Sequence, residues 1–351
     1  KMVSFTSNFS PPHALRVPHL LLSACASVPV LTSDARGSRE QHAAAVGSAE
    51  GHLLLRRAPR EHWPAVTAGT LREEGCAFVP GVLSASTASS LRAHCEAQLA
   101  SSLELVASGA AAREDLFGRV LARSESRHDL KLRLEAGLVS DSLAQALGRL
   151  SPLIRRAFGD GEEPVLAELG GLYSTCGAAR QPLHADTARA PVPSAGPELV
   201  TAFVALQDID ESMGPTTFMP GTHTDVDAHA ALRSPTQKAA MLRNRSFRLG
   251  AMPAGACVLY DSRLLHAGGA NHAGGRWLLY ASFAASRQSM RDLRGKQYEE
   301  LQRAAYTMAQ LEGGDAPGAG ESDAELRRLW SALLQKSESV EDLLQFTAPR
   351  R

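Results

Sequence analysis

The sequence predicts an all-β core, a barrel or jelly roll, with helices before and after it. Two observations carry this. After Pro164 the chain breaks into short apolar runs punctuated by Gly and Pro: VLAELGGLYST, ELVTAFVALQDI, PTTFMPGTH, FRLGAMPAGACVLYDS and RWLLYASFAAS. Five such runs in about 120 residues fit an antiparallel barrel or jelly roll better than alternating α/β units. Helical periodicity occupies the chain on either side of this block.

Taken in order, residues 1–60 differ from the rest. They hold no acidic residue before Asp34 and are rich in Ser, Pro and small apolar residues. That composition reads as a leader, either disordered or an organellar transit peptide; Pro18 and His19 interrupt what would be a secretory h-region. From Trp63 the chain settles. VTAGTLREE reads as a short helix stopped by Gly75, CAFV as a strand, and Pro80-Gly81 as a turn. STASSLRAHCEAQLASSLELVA opens with a capping-type Ser and keeps helical spacing, as does DSLAQALGRLSPLIRRAF. The β block follows. Beyond Arg287 the charged helical patterns RDLRGKQYEELQRAAYTMAQLE and DAELRRLWSALLQKSESVEDLLQF are separated by a Gly-rich hinge. The expected organisation is a leader at 1–60, disordered or targeting, one β domain with N-terminal helices at 64–288, and a C-terminal helical extension at 289–351.

The bulk numbers narrow the function. The chain has 351 residues, 44% apolar and 21% charged, as in ordinary globular proteins. Lys+Arg and Asp+Glu are both 37, so the basic excess of a nucleic-acid binder is missing and no nucleic-acid partner is expected. No run approaches the roughly 18 apolar residues of a membrane span. The five cysteines are odd in number, far apart, and form no C-x-x-C pair. They read as isolated thiols of a reducing compartment, cytoplasm or organelle, and not as a disulfide framework or a zinc knot.

Within the β block, QPLHADT places His184 and Asp186 two apart, and His266 follows 80 residues after Asp186. A lone His-x-Asp carries little weight. Two histidines and one carboxylate, however, form the facial set that holds Fe(II) on one side and leaves three positions open. Ten residues after His266, Arg276 opens the apolar strand RWLLYASF. An arginine buried beside such a site can hold a remote carboxylate bidentately, which fits 2-oxoglutarate: one end chelates iron and the other needs a cation.

Four stretches, in register over roughly residues 64–288, resemble the phytanoyl-CoA dioxygenase family of Fe(II)/2-oxoglutarate oxygenases: REEGCAFVPGVLS, PLHAD, ALQDIDESMGPTTFMPGTH and LLHAGGANHAGGR. The resemblance implies a double-stranded β-helix, cupin-like core with flanking helices. It implies His184, Asp186 and His266 as iron ligands and Arg276 as the anchor of the 2-oxoglutarate carboxylate. Phe203 falls where the family often has an aromatic residue beside the cosubstrate, and Lys131 is placed like an upstream lysine near it. The implied cofactors are Fe(II), 2-oxoglutarate and O₂, with ascorbate as reductant. The implied reaction oxidises, by hydroxylation first of all, an unactivated C–H bond of a small organic or acyl substrate, releasing succinate and CO₂. Asp186 stands where a halogenase would carry a small residue, which favours hydroxylation or a related oxidation. Two features depart from the family. Gly268 stands two after His266, where several members have a serine on the cosubstrate, and the step from His266 to Arg276 is one shorter than in many relatives.

Ordinary roles are weighed beside these. His223 is expected near the pocket mouth, His272 facing solvent, and His128 and His229 exposed in polar segments. Glu168 is expected to make a structural hydrogen bond, and Asp261 to be a strand-end residue within reach of the Asn271 loop or a plain turn residue. Other classes stay open: a non-catalytic metal-binding barrel (pseudoenzyme or sensor), a zinc hydrolase, or an oxygenase acting on a macromolecule. Specificity is expected in the loops at 100–130 and 187–199. Neither stretch names a substrate, and the oligomeric state is not legible.

Overall fold

The computed structural model describes residues 63–119, 126–134, 137–159, 161, 163–187, 196–292, 301 and 304–313. The expected leader at 1–60 and most of the expected C-terminal extension lie outside these residues, as do parts of both expected specificity loops, 120–125 and 188–195.

Helix α1 (Trp63–Glu74) ends where the sequence demands it. Gly75 takes φ +79° and its N–H returns to the Leu71 carbonyl at 2.9 Å, a left-handed stop that favours glycine. Strand β1 (Cys76–Val79) follows, then α2 (Ala85–Ala107), whose N-cap Ser84 accepts from the Thr87 N–H at 3.0 Å. A single turn, α3 (Arg113–Leu116), precedes β2 (Arg127–Lys131) and the long α4 (Leu138–Phe158). In α4 the buried residues Leu143, Ala146, Leu147, Leu150, Leu153 and Ile154 recur at three and four, forming one apolar face.

The core strands are β3 (Val165–Ser174), β4 (Leu199–Ala205), β5 (Thr216–Phe218), β6 (Arg248–Leu249), β7 (Cys257–Asp261), β8 (His266–Gly268) and β9 (Arg276–Ala284). All pair antiparallel, in a six-stranded sheet ordered β1-β7-β4-β9-β3-β2 and a three-stranded sheet ordered β6-β5-β8. This is the jelly roll the sequence predicts. Strands β4 and β9 are buried along their whole length because both faces are covered. On the outer face, Gly171 leaves room for Trp277 and for Cys95 of α2; a Cβ there would meet them at 3.0 and 3.7 Å. On the inner face, Phe218 of the small sheet packs on Tyr260 of the large one, ring centroids 5.3 Å apart.

Between β5 and β6 run α5 (Val226–Ala231) and α6 (Pro235–Asn244); α7 (Arg287–Asp292) and α8 (Met308–Glu312) close the described chain. The sequence reading missed α5 and α6, and the reason is physical. No residue of α6 is buried, so it carries no apolar stripe. It also missed β8, three residues long, and β2, whose RHDLK alternation is hidden by four polar residues. His128 is corrected accordingly: it is a buried strand residue, stacked on Tyr173, and not an exposed one.

The remaining described helices bear no membrane signature: none is long and apolar enough to cross a bilayer. No described cysteine forms a disulfide. Burial raises the Cys76 and Cys95 thiols to about 12, which keeps them protonated and inert.

Candidate active site

His184 and His266 face each other across an isolated antiparallel β-bridge. Each backbone N–H donates to the other's carbonyl, at 3.0 and 2.8 Å, so both side chains leave the same face. Two residues on, the Asp186 N–H donates to the Ser262 carbonyl at 2.9 Å, which brings the carboxylate round to the histidines. Asp186 Oδ1 lies 3.7 Å from His184 Nε2 and 3.6 Å from His266 Nε2, and one ligand atom of each of the three lies within 4.8 Å of the others. Among the described residues this is the one such cluster of His, Cys and carboxylate groups.

The histidines are poised as ligands. Each Nδ1–H donates to the carbonyl two residues upstream, His184 to Pro182 at 2.8 Å and His266 to Leu264 at 3.0 Å. That fixes the tautomer and turns both bare Nε2 atoms toward the gap. Burial, with the neighbouring His266, lowers the His184 pKa, favouring the neutral form a metal requires. On the other oxygen of the carboxylate, Tyr260 donates its hydroxyl to Asp186 Oδ2 at 2.8 Å. Burial, and then the Asp186 charge, hold the Tyr260 pKa well above the ordinary phenol value, so it is a hydrogen donor throughout the working pH range.

Arg276, at the start of β9, is only 3% exposed. One guanidinium nitrogen, Nη1, donates to the Gly214 carbonyl, while Nε has no partner. It lines a narrow recess with Phe203, Thr216, Phe218, Met252 and Leu278. Phe218 is the register partner of His266, ring centroids 6.0 Å apart, so one wall residue beside the arginine also packs against the cluster. Burial, and then the nearby Arg127, lower the Arg276 pKa to about 10.

Arg127 is a residue the sequence reading passed over. It is as deeply buried as Arg276, donates to the carbonyls of Ala179 and Gly269, and likewise has an unpartnered Nε. Arg127 pairs with Ser174 on β3, and Ser174 pairs with Arg276 on β9. The Ser174 hydroxyl is buried and unpartnered as well. Three neighbouring strands thus present guanidinium, hydroxyl and guanidinium in a row on the inner face, and among the described residues no carboxylate bonds either arginine. Lys131 is placed differently: its ammonium donates to the Glu114 carbonyl at 2.6 Å. At Gly268 the missing side chain has a cause, since a Cβ would lie 2.4 Å from Gln181 Oε1 and 2.8 Å from Arg127 Nη1. Gln181 fills that space and accepts the Gly268 N–H at 2.9 Å.

Several expectations change. His223 is not at the pocket mouth: it is buried, its Nε2–H donates to the Arg72 carbonyl at 3.0 Å, and it packs against Gly75. His229 is half-buried and donates to the Thr222 carbonyl at 3.0 Å. Asp261 does not bond the Asn271 loop; it forms a buried ion pair with Arg263 at 2.6 Å, while Asn271 donates to the Ser174 and Gly274 carbonyls. His272 is exposed as expected, and Glu168 accepts from the Ser282 hydroxyl at 2.8 Å. Tyr260, Arg127, Ser174 and Gln181 carry no motif. The available signal was strand alternation, which puts Tyr260 and Arg276 on inward positions of β7 and β9.

Two histidines and a carboxylate brought together in a jelly roll make a candidate metal site, with the donor types that suit a mononuclear Fe(II) centre. The sequence model of the phytanoyl-CoA dioxygenase (PhyH) family matches residues 71–276, more than half of the chain. The chain belongs to that family, and so to the Fe(II)/2-oxoglutarate-dependent oxygenases. Among curated proteins none matches. Solved structures similar to it include the non-heme alpha-ketoglutarate-dependent epimerase SnoN from nogalamycin biosynthesis, at 22% identity and TM-score 0.45, covering 67% of this chain and 91% of that one. AviO1 from Streptomyces viridochromogenes Tue57 is similar at 20% identity and TM-score 0.44, covering 63% and 94%. HygX from Streptomyces hygroscopicus, solved with nickel and 2-oxoglutarate bound, is similar at 16% identity and TM-score 0.44, covering 68% and 94%.

Proposed function

We propose that the protein binds Fe(II) through His184, Asp186 and His266 and 2-oxoglutarate against Arg276, and oxidises an unactivated C–H bond of a small organic or acyl substrate. Hydroxylation is the outcome favoured, with succinate and CO₂ released and O₂ consumed. The donor set fits: two neutral imidazoles and a carboxylate suit Fe(II), and their one-sided arrangement leaves room for other ligands. When bound, the iron and 2-oxoglutarate supply the oxidising power; the polypeptide supplies geometry and a dry site.

The observation that carries the reading is the buried, acid-free arginine. A guanidinium withdrawn from water without a carboxylate partner is costly, and its Nε is left unsatisfied. A metal-binding barrel with no cosubstrate would have no use for it. The remote carboxylate of 2-oxoglutarate would satisfy Arg276, and Arg127 and Ser174 stand beside it to share the same charge. Phe203 then forms an apolar wall of the cosubstrate's recess. Lys131 remains a weaker candidate, because reaching the recess would require it to leave the Glu114 carbonyl.

The test is succinate release by the purified protein given Fe(II), ascorbate, O₂ and 2-oxoglutarate. Slow turnover without added substrate, removed by His184→Ala and by Asp186→Ala, is expected. Absence of both turnover and 2-oxoglutarate binding in the iron-loaded protein would overturn the reading.

A further inference from the structure

The three ligands of the cluster are braced in two different ways. Each histidine is held by a local carbonyl, two residues upstream in its own segment. Asp186 has no such local brace for its side chain, and that side chain is the most exposed of the three, at 36% against 18% for His184 and 4% for His266. A carboxylate is also the one ligand type that can bind a metal through one oxygen or through two. Left free, Asp186 could turn both oxygens onto the ion and close a position that the reaction needs.

We propose that Tyr260 is the positioning residue that prevents this: its hydroxyl holds Asp186 Oδ2 outward, so that Asp186 binds the metal through Oδ1 alone. The inference rests on the metal reading above and adds a residue to it. Oδ1 is the oxygen near both Nε2 atoms, at 3.7 and 3.6 Å, and Oδ2 is the one Tyr260 holds at 2.8 Å. Tyr260 cannot easily turn away. It is fully buried, with its ring packed among Phe203, Phe218 and His266 at centroid distances of 5.0, 5.3 and 5.0 Å.

Behind the tyrosine a line of polar groups crosses the barrel interior. Thr201 is the register partner of Tyr260, the Thr201 and Ser282 hydroxyls lie 3.0 Å apart, and Ser282 donates to Glu168 at 2.8 Å. Thr201 pairs with both Tyr260 and Ser282 in the sheet register, so three strands fix this line. Outer partners of this kind typically change metal affinity about 10–100-fold when removed.

The experiment is a Co(II) titration of the full-length apoprotein followed by its visible absorption, comparing wild type, Tyr260→Phe and Asp186→Ala. Tyr260→Phe is expected to change Co(II) affinity, by up to about 10–100-fold, and to alter the cobalt bands as the second Asp186 oxygen joins the ion. Adding 2-oxoglutarate is expected to change those bands less in Tyr260→Phe than in wild type, because a two-oxygen carboxylate occupies one of the open positions. Thr201→Val, which removes only the group behind the tyrosine, is expected to shift the bands in the same direction by less, and it serves should Tyr260→Phe fail to fold. Melting of the metal-free proteins separates a merely structural role. A lowered apo melting temperature with unchanged cobalt affinity and bands would overturn the proposal while leaving the metal site standing. Wild-type protein that binds no Co(II), or binds it equally after Asp186→Ala, would overturn the metal reading and this proposal together.

Discussion

His184 and His266 exchange two backbone hydrogen bonds across a gap of 82 residues in sequence, and their imidazole centroids lie 4.4 Å apart. The pairing is made by main chain, so the platform exists whether or not the side chains do. The first prediction follows from that separation. His184→Ala and His266→Ala are expected to leave the metal-free melting temperature close to wild type and to abolish the rise produced by Co(II) or Mn(II). Differential scanning calorimetry with and without metal measures both quantities.

The acid end of the recess gives a second prediction. Arg276→Lys keeps a charge but loses the planar fork. A charge-assisted hydrogen bond contributes about 1.5–3 kcal/mol, so 2-oxoglutarate should bind about 10–100-fold more weakly to the Mn(II)-loaded variant. Arg127→Gln is expected to weaken it in the same sense. Pyruvate, which has the keto-acid end and no remote carboxylate, is the control: both variants should bind it as wild type does. Isothermal titration with the two acids compares them directly.

A serine cannot simply be placed at Gly268. Its Cβ would collide with Gln181 Oε1 and Arg127 Nη1. Gly268→Ser is therefore expected to displace these two side chains and to weaken 2-oxoglutarate binding, where a pure gain of a hydroxyl donor would strengthen it. The same titration decides the sign.

Gly75→Ala tests the packing between α1 and the strand ends. A methyl there meets His223 Nδ1 at 2.5 Å and Leu264 Cδ1 at 2.7 Å, on a backbone with φ +79°. The left-handed conformation costs about 1–2 kcal/mol and overpacking about 1–3 kcal/mol, so a loss of about 2–5 kcal/mol in urea unfolding is expected.

Acid sensitivity is the last prediction. Burial lowers the pKa of His223 and of His229 below the usual 6.5, with each Nε2–H donating to a carbonyl. The unfolded chain binds these protons more readily than the folded one, so stability falls as pH drops below about 6.5 and on through the lowered values. Urea midpoints of the metal-free protein measured at several pH values should decline over that range, and His223→Gln should flatten part of the decline.

Much of this was legible in the order of residues. The jelly roll followed from short apolar runs between Gly and Pro, because strand burial and turn chemistry are local properties of sequence. The stop at Gly75 was readable for the same reason, whereas the capping Ser expected at Ser86 is instead Ser84, two residues earlier. His184, Asp186, His266 and Arg276 could be named as candidates because each sits within a short, recognisable stretch, and the structure brings the first three together. The tertiary structure alone decided the rest. Tyr260 is 74 residues from Asp186, and Arg127 meets Arg276 only across β3; no local pattern encodes such a contact. It moved His223 from the pocket mouth into the α1 junction, and it gave Asp261 an ion pair in place of a loop contact. Local sequence determines which segments become strands, but the register of those strands determines which side chains meet, because a shift of one residue turns every side chain to the opposite face.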